Sequence, residues 1–264
     1  MPRLAVAQFA PGTDSEANLA TITELAERAT SAGATMVVFP EYSSWFSAEM
    51  GEQWVRAAQA VDGEFVTALR GVAVRLGIHL VAGFIEAADA TRVSNTVVAV
   101  DPAGAVVAEY RKLHLYDAFG ATESEWVVPG DIEPPQTFGW AGFTVGLQTC
   151  YDLRFPEVTR RLVDAGADLV LVPSEWVRGP LKEHHWRTLV TARALENTVY
   201  VAAADHAPPI GVGTSMIVDP MGVALAEIGE ETGIALAEAT TERIASVREV
   251  NPALALRRFG VVPL

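Results

Sequence analysis

Two ten-residue stretches, far apart in this 264-residue chain, are near copies: AGATMVVFPE (Ala32 to Glu41) and AGADLVLVPS (Ala165 to Ser174). A second pair repeats in the same order, VDPAGAVVAE (Val100 to Glu109) and VDPMGVALAE (Val218 to Glu227). Each half therefore runs through a helix, a buried strand and a proline turn, and later through a hairpin about a DP-x-G turn. The apolar runs are continuous, as strands covered on both faces require. A chain so built is expected to fold as an α/β protein from a duplicated frame with pseudo-twofold symmetry, its sheets packed together and its helices outside. Half of the residues are apolar, enough for a sizeable core. No Gly/Ser/Pro-rich linker parts the halves, so residues 1–264 read as a single domain.

Strands and helices alternate along the chain. Strands are expected at Arg3 to Phe9, over TMVVFPE, over IHLVAGFI, in a hairpin from Asn95 to Tyr110, and over FTVGLQT, ending at Cys150. Others fall at DLVLVP, TVYVAAA, the late hairpin SMIVDPMGVALAEI and IALAEA. Asp14 and Ser15 offer N-caps to a helix with Leu19, Ile22, Leu25 and Ala29 on one face. Further helices are expected around Phe65 to Leu76, Val158 to Ala165 and His185 to Asn197, and the tail from Arg248 shows little regular pattern.

The formal net charge is -14, and so acidic a surface repels phosphate backbones; no nucleic-acid partner is expected. The single cysteine makes no internal disulfide, and the N-terminus lacks the long apolar core of a secretory signal. No stretch nears ~18 uninterrupted apolar residues, so no membrane span is expected. The reading is a cytoplasmic protein.

Cys150 stands where a buried strand gives way to a polar turn, YDLRFPE. A strand end opens at the mouth of an α/β sheet, and a following helix N-terminus favours a thiolate. A thiol near its usual pKa of ~8.5 needs such help to act at neutral pH. No local motif fixes any of the five histidines beside Cys150, though pairing at a distance stays open. LKEHHW lacks the HExxH spacing and Cys150 has no ligand partner, so no metal is expected. The alternative to histidine is a carboxylate with a cation. Glu41 closes VVFPE and Lys112 follows AVVAEYRK, each at a strand end like that of Cys150. A desolvated glutamate can take the thiol proton, and an ammonium can stabilise the oxyanion formed next.

FPEY, YRKLHLYD and TCYDLRFPE resemble, in that order, the three motif regions of the carbon–nitrogen hydrolase (nitrilase) superfamily. The resemblance implies a four-layer α-β-β-α sandwich. It makes Glu41 the general base, Lys112 the oxyanion-stabilising cation and Cys150 the nucleophile, with the Tyr151 N–H completing the oxyanion hole. ATESEWVVPGD is similar to the segment that supplies a second glutamate; its ES-x-x-x-x-PGD pattern points to Glu123, with Glu125 the competing choice. CYDLRFPE is most like the omega-amidase and deaminated-glutathione-amidase type, which implies a cofactor-free amidase acting on a small carboxylic amide such as the monoamide of a dicarboxylic acid. An N-carbamoyl-amine hydrolase and a non-catalytic relative are the other readings. The family also implies a homodimer or higher homo-oligomer, with helices around Val158–Ala165 and His185–Asn197 at the contact. Leu256 stands before Arg257-Arg258 where the family often has Asp, which bears on that interface and not on the chemistry.

Candidate substrate contacts follow. Arg154 could clamp a carboxylate or pair internally with Asp152 or Glu157. Glu175 and Trp176 sit at another strand end. Tyr42, Trp45, Tyr116 and Phe119 are candidate lining or core, and Tyr151 follows the thiol.

Overall fold

The computed structural model describes residues 1–264. The first half runs β1 (Arg3–Gln8), α1 (Ser15–Ser31), β2 (Met36–Val38), α2 (Glu52–Ala57), α3 (Glu64–Leu76), β3 (His79–Ala87), β4 (Val93–Val100) and β5 (Val106–Arg111). The second runs β6 (Thr137–Trp140), β7 (Phe143–Leu147), α4 (Pro156–Asp164), β8 (Leu169–Ser174), α5 (Lys182–Asn197), β9 (Tyr200–Asp205), β10 (Met216–Val218) and β11 (Ala224–Glu227). It closes with β12 (Gly233–Glu238) and α6 (Thr241–Val250).

These strands form two six-stranded sheets, ordered β12-β1-β2-β3-β4-β5 and β6-β7-β8-β9-β10-β11. β1, β2 and β3 are parallel, and β4 and β5 turn back antiparallel; β7, β8, β9, β10 and β11 repeat those directions. Each sheet gains one antiparallel edge strand, β12 beside β1 and β6 beside β7. β6 reaches its neighbour by a hairpin, whereas β12 comes from the far end of the chain. The last strand thus completes the first sheet and ties the halves together. The DP-x-G hairpins match in detail. Each has a register shift just before the turn, and Asp101 and Asp219 each accept two turn N–H groups.

Alternation along the buried strands sorts side chains into layers. Leu4, Val6, Met36 and Val38 meet Val145, Leu147, Leu169 and Leu171 between the sheets. Ala5, Ala7, Val37 and Phe39 face the other way, onto Ile22 and Leu25 of α1 and Phe65 and Leu69 of α3. Val170, Val172, Val201 and Ala203 face Leu162 of α4 and Trp186 and Val190 of α5. The result is the expected four-layer α-β-β-α sandwich. Asp14 caps α1, its carboxylate accepting the Glu16 and Ala17 N–H groups at 3.0 Å. Pro156 opens α4, where its missing N–H costs nothing.

Three elements escaped the sequence reading. β6 is a four-residue strand interrupted by Gly139, α2 spans under two turns, and α6 buries only Ile244 and Val247. The strand expected to reach Cys150 stops at Leu147. No helix is long and apolar enough to cross a membrane.

Candidate active site

Parallel strands point their carboxyl ends the same way, and the reactive side chains collect there. Glu41 lies just beyond β2, Cys150 beyond β7 and Glu175 directly after β8. Lys112 follows β5 at once. All four line one cavity of about 940 Å³. The expected convergence of three strand ends is what the fold produces.

Lys112 is the hub. Its Nζ lies 3.0 Å from Glu41 Oε1 and 3.0 Å from both carboxylate oxygens of Glu123. Glu41 and Lys112 are only 1% and 2% exposed. Burial works against the ammonium, but Glu123 and Glu41 outweigh it and hold the Lys112 pKa well above normal. Glu125, two residues from Glu123 in the same 3-10 turn, is exposed, so Glu123 is the glutamate beside Lys112. Two further side-chain donors aim at these carboxylates. Asn95 Nδ2 donates to Glu41 Oε1 at 2.5 Å, and the Tyr42 hydroxyl donates to Glu123 Oε1 at 2.7 Å.

Cys150 opens a short 3-10 turn, Cys150–Arg154, at φ +46°, a conformation rare outside glycine. Thr149 caps the turn and Asp152 reaches back to the Thr149 N–H. Asp152 is also an anchor, accepting the Tyr110 hydroxyl at 2.6 Å and the His114 N–H at 3.0 Å. It therefore joins the thiol turn to the segment that carries Lys112. The expectation of a thiol acidified by a helix start is corrected here. Burial pushes the Cys150 pKa well up, Glu41 adds to the rise, and Lys112 only partly opposes it. The resting group is a thiol that needs a base.

Glu41 depends on a close approach by β3. A Cβ on Gly83 would sit 2.6 Å from Glu41 Cα and 2.8 Å from the Tyr42 backbone nitrogen. Neither atom can yield without moving the backbone. Gly83→Ala is expected to cost about 1–3 kcal/mol of stability and, by displacing Glu41 about an ångström, roughly 10²-fold in turnover. Thermal melting and steady-state kinetics on the same preparation check both.

A family profile described as Carbon-nitrogen hydrolase matches residues 3–249. The chain belongs to the carbon–nitrogen hydrolase family. It is 39% identical over 257 residues to a deaminated glutathione amidase of Escherichia coli O157:H7, covering 97% of each. It is 32% identical over 272 residues to an omega-amidase of Xenopus tropicalis, covering 98% of this chain and 96% of that one. A double mutant of the amidase from Nesterenkonia sp. AN1, solved with acrylamide, superposes with a TM-score of 0.81 at 30% identity over 97% of this chain and 94% of that one. Another form of that amidase carries acrylamide on its active-site cysteine by Michael addition.

Within this carbon–nitrogen hydrolase the outer cavity is cationic. The Arg154 guanidinium lies 4.9 Å above the Trp176 ring, donates to His185 Nδ1 at 3.3 Å, and has a buried Nε without a partner. Arg154 does not pair with Asp152 or Glu157. Lys182 Nζ donates to the Tyr116 hydroxyl at 2.6 Å and sits 4.1 Å over the Phe119 ring. Burial and Arg154 lower its pKa. Tyr42, Tyr151 and Trp176 line the cavity as expected. Trp45 does not; it packs edge-on against Trp54, with ring centroids 5.6 Å apart. No histidine lines the cavity. His206 Nε2 donates instead to the Glu41 carbonyl at 2.7 Å, and burial lowers its pKa to about 4, so it is a neutral support.

Asn95, Asp152, Lys182 and His206 were not among the expected site residues. Asn95 begins the expected hairpin and Lys182 lies within LKEHHW, and only their placement opposite Glu41 and Tyr116 gives them a part.

Proposed function

We propose that this protein is a cysteine-dependent amidase that hydrolyses a small carboxylic amide to an acid and ammonia through a thioester. The observation that carries the reading is the Lys112 ammonium held by Glu41 and Glu123 at 3.0 Å on the wall that also bears the chain's one thiol. Glu41 takes the Cys150 proton as sulfur attacks the amide carbon. Lys112 and the Tyr151 N–H, in the first turn after the thiol where helical donors go unpaired, hold the oxyanion. The C–N bond breaks, and Glu41 returns its proton to the departing nitrogen. Water, deprotonated by Glu41, then attacks the thioester, and Cys150 leaves as the thiol. Glu123 fixes Lys112 throughout. The relatives named as amidases support the same chemistry. An ammonia-release screen over monoamides of dicarboxylic acids, aliphatic amides and carbamoyl amino acids tests it. Carbon dioxide released together with ammonia would replace it with carbamoyl hydrolysis, and silence on every amide would end it.

Arg154 and Lys182 form no ion pair with any carboxylate, in a chain of net charge -14. They support a substrate whose far end is itself a carboxylate, as in a dicarboxylic monoamide. Arg154→Gln is expected to raise KM for such a monoamide roughly 10–100-fold, the worth of a charged hydrogen bond. The rise for a simple aliphatic amide should be far smaller. Equal rises for both would remove the carboxylate from the reading. We propose further that residues 1–264 form a single domain, and that the protein works in the cytoplasm as a homodimer paired through α4 and α5.

A further inference from the structure

Glu41, Glu123 and Glu175 line the reacting end of the cavity with a single ammonium, Lys112, among them, and Asp205 adds a buried carboxylate near Glu175. Lys112 directs its hydrogen bonds to Glu41 and Glu123 and makes none to Glu175. Glu175 is held instead by its backbone. Its N–H donates to Glu41 Oε2 at 2.6 Å, and its carbonyl accepts from Cys150 Sγ at 3.4 Å. The side chain is thereby rooted between base and thiol. Its Oε1 is shielded from water and has no hydrogen-bond partner. The charged groups around it come from every neighbouring element: Glu41 after β2, Lys112 after β5, Glu123 in its 3-10 turn, Asp205 ending β9, and Cys150, Tyr116 and Lys182 around the cavity. Among these groups the two lysines favour a charge on Glu175, and both are bonded elsewhere. An ionised Glu175 would be one more carboxylate beside Glu41 with a buried oxygen unpaired, which a dry site disfavours. Burial, and next the Glu41 carboxylate, hold its pKa well above the usual range.

We propose that Glu175 stands at the reacting end as an uncharged carboxylic acid that hydrogen-bonds the substrate's amide group. An acid in that state offers one donor and one acceptor, which complement the carbonyl and N–H of a primary amide. The site then takes neutral primary amides and gains nothing from an ammonium next to the scissile bond. This rests on the amidase reading.

The test compares the wild type with Glu175→Ala and Glu175→Gln in two measurements. The first is kcat/KM on a simple primary amide at pH 7. The second is the infrared carboxylic-acid C=O stretch at pH 7, taken as the difference between the wild type and Glu175→Gln. The alanine variant is expected to lose about tenfold in kcat/KM, the effect of one hydrogen bond, and glutamine, with one donor and one acceptor in place, to restore most of it. The wild type should show an acid band that the glutamine variant lacks. The proposal is overturned if glutamine is as impaired as alanine, or if no acid band at pH 7 separates the two proteins. The infrared reading needs no turnover, so an inactive wild type would sink the amidase reading while still reporting the state of Glu175.

Discussion

Cys150→Ala is expected to abolish amide hydrolysis, lowering turnover at least about 10⁴-fold, because no second nucleophile can take over covalent chemistry. The chain has one cysteine, and it lies on the cavity wall that bears Lys112 and Glu41. The fold should tolerate the change. Cys150 is small and its Sγ makes only one contact of hydrogen-bond type, to the Glu175 carbonyl. The cost in stability is expected to be about 1 kcal/mol. Two measurements separate chemistry from folding. Ammonia release should fall to background while the melting temperature moves by only a few degrees. Intact mass after treatment with a haloacetamide should show one adduct on the wild type and none on the variant. Full amidase activity in Cys150→Ala would leave the proposed thioester without an origin. Cys150→Ser should be nearly as inactive, since a hydroxyl gives up its proton to a carboxylate far less readily than a thiol does.

How much of this was visible in the sequence depends on distance along the chain. The layer order was visible because each buried run has its own signature, as in TMVVF and DLVLV, and because the two DP-x-G turns repeat. What was hidden is the exchange at the edges, where β12 crosses to pair with β1, since antiparallel pairing between residues 3 and 238 leaves no local mark. The same holds at the site. Glu41, Lys112 and Cys150 each carry a local motif, and the fold brings them to one wall. Asn95 carries none; it earns its place by pointing at Glu41 from 54 positions away. Asp152 sits inside a quoted motif, yet its hold on Tyr110 and His114 exists only after folding. The state of the thiol depends on the fold. A helix start behind Cys150 would favour thiolate, but the turn is one short 3-10 segment and Cys150 is buried beside Glu41, so desolvation and like charge win.

That reversal makes the base indispensable, and Glu41→Gln is the second large effect expected. A thiol with a raised pKa supplies little thiolate near neutral pH, so in the proposed mechanism its proton passes to Glu41 during attack. Removing a general base costs roughly 10²–10⁴-fold, and the loss should fall on kcat, since no contact of Glu41 reaches toward the cationic outer cavity. Glutamine is also a poor guest here. Glu41 Oε1 accepts from Lys112 at 3.0 Å and Asn95 at 2.5 Å, while Oε2 accepts from the Glu175 N–H at 2.6 Å. An amide turned either way sets its NH2 against a donor. It also leaves Glu123 as the one carboxylate bonded to a buried ammonium. A loss of about 2–4 kcal/mol follows, which in a chain of this size lowers the melting temperature by roughly 4–16 °C. Kinetics taken well below the variant's melting point separate the lost base from the weakened fold. A kcat within tenfold of wild type under those conditions would show that some other group takes the Cys150 proton, and the scheme would have to be rebuilt around it.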